Sequence, residues 1–238
     1  MTIKTAMLMA AGMGTRMRPL TDNCPKPLIE VAGRTLIDRT LDNLVAAGIE
    51  RAIINIHYLA DMVETHLNTR TDIEISFSDE RDELLETGGG VVKALPLLGD
   101  DPVLICNTDA FWLNDDAKTI GSLITNFDPA KMDSLLLLAR REYSLGYHGK
   151  GDFDLNDDNT LIRRGDNPSA PYVFAGMYAF NPKTITHLKA EKFSANIYWN
   201  ESAKANRLFG HVMAPFWMHV GDPEAVKDAN VLIQQGNS

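Results

Sequence analysis

The chain has 238 residues, with 23 Lys plus Arg against 32 Asp plus Glu and a formal net charge of −9. Its 45% hydrophobic and 23% charged content excludes disordered, collagen-like and fibrous classes, and the acidic balance argues against a general nucleic-acid binder. No apolar run approaches the roughly 20 residues needed to cross a bilayer, and the stretch after Met1-Thr2-Ile3-Lys4 meets Gly12 and Arg16 too early for a secretory signal. A cytoplasmic protein with no membrane partner is expected, its Cys24 and Cys106 reduced and without metal-ligand spacing.

Ile3–Met9 reads as a buried strand, short and apolar with an abrupt stop at Ala10-Ala11-Gly12. Comparable runs follow at Arg51–Ile56, Ile73–Phe77, Pro102–Cys106 and Ser134–Ala139. Helical spacing lies between them, at Leu36 to Val45, Leu59–Leu67, Gly90–Leu98 and Ala117–Phe127. This alternation predicts an α/β fold: a Rossmann-like, mostly parallel central sheet with helices on both faces, which binds ligands at the carboxyl ends of its strands. After Arg140 the rhythm becomes β-rich. Phe153–Leu155 and Thr160–Arg163 flank an Asn/Asp cluster as hairpin arms, and Tyr172–Phe180 is a further strand. Helices are expected at Pro182–Lys189 and Ser194–Asn206, then an extended Leu208–Val220 and a closing helix at Pro223–Gln235 capped by Asp222. One domain with a substrate-binding excursion after residue 140 is the simplest organisation.

The sharpest motif follows the first strand: Ala10-Ala11-Gly12-Met13-Gly14-Thr15-Arg16, then Pro19-Leu20-Thr21 and Pro25-Lys26-Pro27. Small residues and glycines let backbone N–H groups close on a phosphate, and Arg16, Arg18 and Lys26 add charge in the same loop. Neither the Walker A loop nor the dinucleotide fingerprint fits, since no Gly-Lys-Ser/Thr follows and Pro19 comes too soon for a helix. Glu86-Thr87-Gly88-Gly89-Gly90 could carry a planar nucleobase on its backbone, or form a helix-entry turn with Thr87 as cap. Asn107-Thr108-Asp109 puts a carboxylate at the end of an expected central strand, suited either to a hard divalent cation or to capping a turn.

Together these segments resemble the signature of the sugar-1-phosphate nucleotidyltransferases, Ala-Ala-Gly-x-Gly-Thr-Arg-x-x-Pro-Leu-Thr followed by Pro-Lys-Pro. The resemblance spans the chain, with Leu85 to Gly90, Asn107-Thr108-Asp109 and Trp217 to Pro223 in the family's order. It implies transfer of a nucleotidyl group from a nucleoside triphosphate to a sugar 1-phosphate with release of pyrophosphate. It also implies a nucleotide-binding part over residues 1–140 and a small sugar-binding part over 141–238. Arg16 aligns with the arginine that holds the leaving pyrophosphate, and Lys26 with the lysine at the α-phosphate; with Asp109 they are the expected catalytic set. The nucleotide is expected on Ala10, Ala11, Gly12, Met13, Gly14, Thr15, Glu80, Thr87, Gly88 and Asn107, with Glu80 near the base. The sugar phosphate is expected on Asp109, Gly149, Asp152 and Gly176. Short length and the Glu-Thr-Gly-Gly-Gly run are most similar to the branch that uses UTP and N-acetylmuramate 1-phosphate.

Two departures stand out. The family's late Trp-x-Asp-x-Gly-Thr reads Trp217-Met218-His219-Val220-Gly221-Asp222-Pro223 here, so the second ligand to the expected Mg2+ is His219, directly or through water, or Asp222. An imidazole suits Mn2+ better than Mg2+, which makes Mn2+ the alternative. The Glu-Lys-Pro triplet of many relatives is also absent, leaving Arg164 as a candidate cation. GTP with mannose 1-phosphate and CTP with an aminoalcohol phosphate are the alternative substrate pairs. A non-catalytic nucleotide-sugar-binding protein, motivated by His219, is the reading of a different class.

Overall fold

The structure, a computed structural model, describes residues 2–113 and 117–236. Strand β1 (Thr5–Met9), buried on both faces, ends at Ala10-Ala11-Gly12. A hairpin of β2 (Glu30–Val31) and β3 (Arg34–Thr35) leads into helix α1 (Leu36–Ala46), which Thr35 caps by accepting the Asp38 amide at 3.2 Å. Next come β4 (Arg51–Ile56), α2 (Ala60–Leu67), β5 (Glu74–Asp79), α3 (Glu86–Leu98), β6 (Val103–Asn107), β7 (Ala110–Trp112) and α4 (Lys118–Asn126). The later part holds β8 (Ser134–Arg140), β9 (Ser144–Leu145), β10 (Phe153–Leu155), β11 (Leu161–Arg163), β12 (Tyr172–Phe180), α5 (Asn196–Lys204), β13 (Leu208–Val212), β14 (Trp217–His219) and α6 (Pro223–Gly236).

Strands β5, β4, β1 and β6 lie side by side and parallel; β12 runs antiparallel to β6, and β8 and β13 follow on its far side. One sheet therefore crosses both parts of the chain. Ala6 and Leu8 face a layer built by α1, α2 and α4 through Ile37, Leu41, Val63 and Ile120, whereas Met7 faces α3 and α5 through Val91, Ala94 and Tyr198. Burial on both faces explains why the strands read as continuous apolar runs, and the expected α/β architecture holds.

The β10–β11 hairpin forms as expected, with Phe153 opposite Arg163. It is an extension of the main sheet, because Phe153 also pairs with Tyr172 of β12. A second small sheet, β7-β14-β9, is a new feature. The expected single extended segment at Leu208–Val220 divides there: β13 pairs with β8, the chain breaks at 213–216, and β14 joins β7 and β9. The expected helix at Pro182–Lys189 is only a 3-10 turn, Pro182–Ile185. The Thr184 and Thr186 hydroxyls donate back to the carbonyls of Asn181 and Lys183, the local competition by which short polar side chains stop a helix. Both cysteines are unbridged, and no helix among the described residues is long and apolar enough to cross a membrane.

Candidate active site

Register places Met9 of β1 between Asn55 of β4 and Asn107 of β6, so the segments that leave these strands meet at one edge of the sheet. They wall a cleft of about 470 Å3 lined by Ala10, Ala11, Gly12, Lys26, Asn55, Thr87, Asn107 and Asp109. Seven of the cleft's fourteen lining residues are expected site residues; Met9, Pro27, Asn55, Leu84, Glu86, Thr108 and Ser194 are the others. Asn55 is the polar side chain among the additions that also holds the loop, and its signal was a lone amide after the apolar run Ala52-Ile53-Ile54.

The two loop glycines differ in kind. Gly14 sits at φ +61°, and a Cβ there would lie 3.0 Å from Thr21 Cγ2 and 3.1 Å from Lys26 Cβ, so the fold itself requires glycine. Its carbonyl accepts the Thr21 hydroxyl at 2.8 Å. A Cβ on Gly12 would meet nothing within 4 Å, yet Gly12 lines the cleft. The space beside it is open to the cleft. Gly12→Ala is therefore expected to melt within about 1 °C of the parent while nucleoside triphosphate affinity drops about tenfold, whereas Gly14→Ala loses several degrees. Thermal melts with and without nucleotide check this, and equal losses of stability would refute the distinction. Met13, Thr15 and Arg16 are exposed outside the cleft lining, and Arg16 carries no hydrogen bond or ion pair among the described residues.

Behind the loop runs a buried chain of hydrogen bonds. Asn55 Oδ1 accepts the amides of Ala10 at 2.7 Å and Ala11 at 3.3 Å, and Asn55 Nδ2 donates to Glu80 Oε1 at 2.7 Å. Glu80 Oε2 accepts the Leu85 amide at 3.1 Å, just before α3. Glu80 is 0% exposed and does not line the cleft. This corrects its expected place at the base: its carboxylate is engaged in holding the phosphate loop and the start of α3 to one another.

The glycine run also has a different reason from the one expected. Helix α3 starts at Glu86, and the amides of Gly88 and Gly89 donate to the Phe193 carbonyl at 2.8 and 3.1 Å. A Cβ on Gly88 would overlap the Phe193 ring at 2.4 Å, and one on Gly89 would overlap the Glu191 carbonyl. These glycines let the 191–193 segment pack on the helix start and present no flat backbone to a ring. Thr87 stays at the cleft, its hydroxyl accepting the Ala195 amide at 2.9 Å.

Across the cleft, Lys26 Nζ lies 2.5 Å from Asp109 Oδ2, and His219 Nε2 lies 3.5 Å from the same oxygen. Burial works to raise the Asp109 carboxyl, but the Lys26 ammonium and the His219 ring outweigh it and hold the carboxyl well below the usual carboxylate range. His219 is fixed by stacking on Trp217, ring centroids 5.6 Å apart, and Trp217 donates from Nε1 to the Ala175 carbonyl at 3.0 Å. Asp222 stands apart in function: its Oδ1 accepts the Ala225 amide at 2.9 Å, capping α6 ahead of Pro223. Asp222 lines neither the cleft nor the smaller cavity that Asp109 borders.

Asp109 and Asn107 also border a smaller cavity of about 130 Å3 with Tyr147, Asp152, Gly176 and His219. Gly176, at φ +89° and with a Cβ position 3.1 Å from Ala110 Cβ, keeps that cavity open. Gly149 is exposed and packs over the Tyr147 hydroxyl instead of lining the cavity. Arg164 donates from Nε to the Gly151 carbonyl and from Nη1 to those of Gly165 and Asn167, bracing its loop.

No group of three or more His, Cys, Asp or Glu side chains among the described residues converges on one point. The donors that a cation would find are Asp109 Oδ1, without a hydrogen bond among the described residues, and His219. The one carboxylate fits a Mg2+ ion that takes most of its ligands from water and substrate phosphates, and the imidazole beside it suits Mn2+ better.

The family model described as Nucleotidyl transferase matches residues 5–236. The chain is 43% identical over 226 residues to the N-acetylmuramate alpha-1-phosphate uridylyltransferase of Caulobacter vibrioides, covering 93% of each. It is 33% identical over 231 residues to the enzyme of that name from Neisseria meningitidis serogroup B, covering 95% of this chain and 97% of that one. The fold is shared with HddC from Yersinia pseudotuberculosis complexed with GMP-PN, at a TM-score of 0.76 and 20% identity over 97% of this chain and 100% of that one. A loop, cleft and carboxylate placed in this order, on a chain matched from end to end, belong to the nucleotidyltransferase family, and this chain is one of its sugar-1-phosphate nucleotidyltransferases.

Proposed function

We propose that the protein transfers the uridylyl group of UTP to N-acetylmuramate 1-phosphate, releasing pyrophosphate and forming the UDP-sugar. The observation that carries the reaction is the place of Asp109, paired with Lys26, on the wall shared by the nucleotide cleft and the smaller cavity. A triphosphate on one side and a sugar phosphate on the other meet there. The choice of UTP and N-acetylmuramate rests on the likeness to the Caulobacter vibrioides enzyme.

A sugar-phosphate oxygen forms a bond to the α-phosphorus of UTP, and the bond from that phosphorus to the bridging oxygen of the leaving pyrophosphate breaks. The nucleophile is already anionic, so no protein base is needed, and catalysis is positioning plus charge stabilisation. Gly12 and the loop beyond it receive the phosphates on backbone amides, Ala10 and Ala11 being held in place beneath by Asn55 Oδ1, and Arg16 pairs with the pyrophosphate at the loop's outer side. Lys26 meets the charge that builds on the α-phosphoryl oxygens. Asp109 and His219 would hold Mg2+, whose charge allows two polyanions to approach. Asp152 accepts sugar hydroxyls beside Gly176.

Pyrophosphate release measured across UTP, GTP, CTP and dTTP, each with N-acetylmuramate, N-acetylglucosamine and mannose 1-phosphates, tests this. UTP with N-acetylmuramate 1-phosphate is expected to exceed every other pair by at least tenfold in kcat/KM. A preference for GTP with mannose 1-phosphate overturns the substrate assignment, and no release with any pair overturns the reaction.

A further inference from the structure

Beyond the smaller cavity lies a third of about 570 Å3, and Asp152 and Phe174 border both. Its wall carries Arg163 of β11, whose guanidinium lies 4.9 Å from the Phe153 ring centroid and 6.0 Å from that of Trp199. Nη1 donates to Asn196 Oδ1 at 2.9 Å. Nε and Nη2 are buried with no hydrogen-bond partner among the described residues, and so is Trp199 Nε1 on the same wall. All three orphans are donors, and none can accept.

Few buried polar atoms in a folded protein go unpaired, because each loses its water without replacement. Three on one wall therefore ask for an acceptor that the protein does not supply. The carboxylate in this cavity, Asp152, already gives Oδ2 to the Phe174 amide at 3.0 Å. The second guanidinium, Arg164, spends Nε and Nη1 on backbone carbonyls. What remains unmatched is a ring-stacked fork of the shape that takes a carboxylate through two parallel hydrogen bonds.

We infer that Arg163 is a specificity-determining residue that recognises a carboxylate on the sugar substrate. The inference rests on the function proposed above and deepens it. N-acetylmuramate differs from N-acetylglucosamine by a lactyl ether that ends in a carboxylate. With the 1-phosphate at Lys26 and Asp109 and the ring in the smaller cavity, the lactyl arm enters the outer cavity past Asp152 and Phe174. The carboxylate displaces Asn196 Oδ1, and the guanidinium turns in its own plane over the two rings so that its orphaned edge gains acceptors.

The test is the ratio of kcat/KM for N-acetylmuramate 1-phosphate to that for N-acetylglucosamine 1-phosphate, both with UTP, in the parent, Arg163→Gln and Arg163→Lys. The ratio is expected to fall between about tenfold and a hundredfold in Arg163→Gln, and by less in Arg163→Lys, which keeps the charge without the fork. If both sugars lose equally, so that the ratio stands, Arg163 only stacks on the rings and the inference is overturned while the proposed function survives. If the parent fails to turn over N-acetylmuramate 1-phosphate, the proposed function falls and takes the inference with it. Melting curves accompany each variant; where Arg163→Gln does not fold, the ratio in Arg163→Lys decides.

Discussion

Lys26→Met is expected to lower both turnover and stability, and Lys26→Met with Asp109→Asn to recover the stability alone. The Lys26–Asp109 pair is 14% and 15% exposed in its side chains, so removing one partner leaves the other charge in a poorly solvated wall. That costs about 3 kcal/mol, or on the order of 6–12 °C of Tm for a chain of this size. Removing both charges together leaves two neutral side chains that can pack, and most of the loss is restored. Activity behaves otherwise. Lys26 acts on charge that grows in the transition state, so its loss is expected to lower kcat by about a hundredfold to a thousandfold in single and double variants alike. Recovery of turnover in the double variant would show that the pair is scaffold and nothing more. With its carboxyl held below the usual range, Asp109 stays ionised at working pH and adds no acid limb to the rate profile above about pH 4.

The second large effect comes from the buried chain behind the loop. In Glu80→Gln, either orientation of the new amide sets one donor against another: Nε2 faces Asn55 Nδ2 or the Leu85 amide. In Asn55→Asp, a second carboxylate stands beside the buried Glu80, which makes no ion pair among the described residues. Each change is expected to lower stability by about 2 kcal/mol and to raise KM for the nucleotide by about tenfold to a hundredfold, because Ala10 and Ala11 lose their fixed direction. The double variant, Glu80→Gln with Asn55→Asp, exchanges donor and acceptor. The introduced amide then accepts from Leu85 and donates to the introduced carboxylate, which still accepts from Ala10 and Ala11. Stability is expected to return to within about 1 kcal/mol of the parent, and KM to recover most of its loss. A double variant whose losses equal the sum of the two singles would refute the coupling of loop to helix.

Much of the fold was legible because it is local. Alternating runs of four to seven apolar residues and helical spacing between them set the strands and helices of the sheet, and β4 at Arg51–Ile56 and β12 at Tyr172–Phe180 fall where the pattern puts them. The small strands β7 and β9 were not legible, and β14 was expected only as the end of one extended segment, Leu208–Val220. Two or three residues carry no period, and they exist as strands only because the chain brings 110–112, 144–145 and 217–219 together. Helix α3 begins earlier than its apolar spacing suggests, since its first turn is defined by glycines that admit Phe193 and Glu191, about a hundred residues away in the chain.

The site divides along the same line. The sequence by itself determined the loop from Ala10 to Arg16, Lys26 between two prolines, and Asp109 at a strand end, because backbone freedom, fixed charge and strand termination are written in neighbouring residues. Only the tertiary structure decided which of two late residues, His219 or Asp222, meets Asp109, since both lie in one short segment and differ in whether strand β14 or helix α6 uses them. It alone turned Glu80 from an expected base contact into the anchor of Asn55, and it alone left Arg163 stacked on two rings with its donors unmatched. The physical reason is common to all three. A charged side chain takes its role from whatever partner the register and packing place within about 3 Å of it, and that partner is chosen by chain segments far away in sequence.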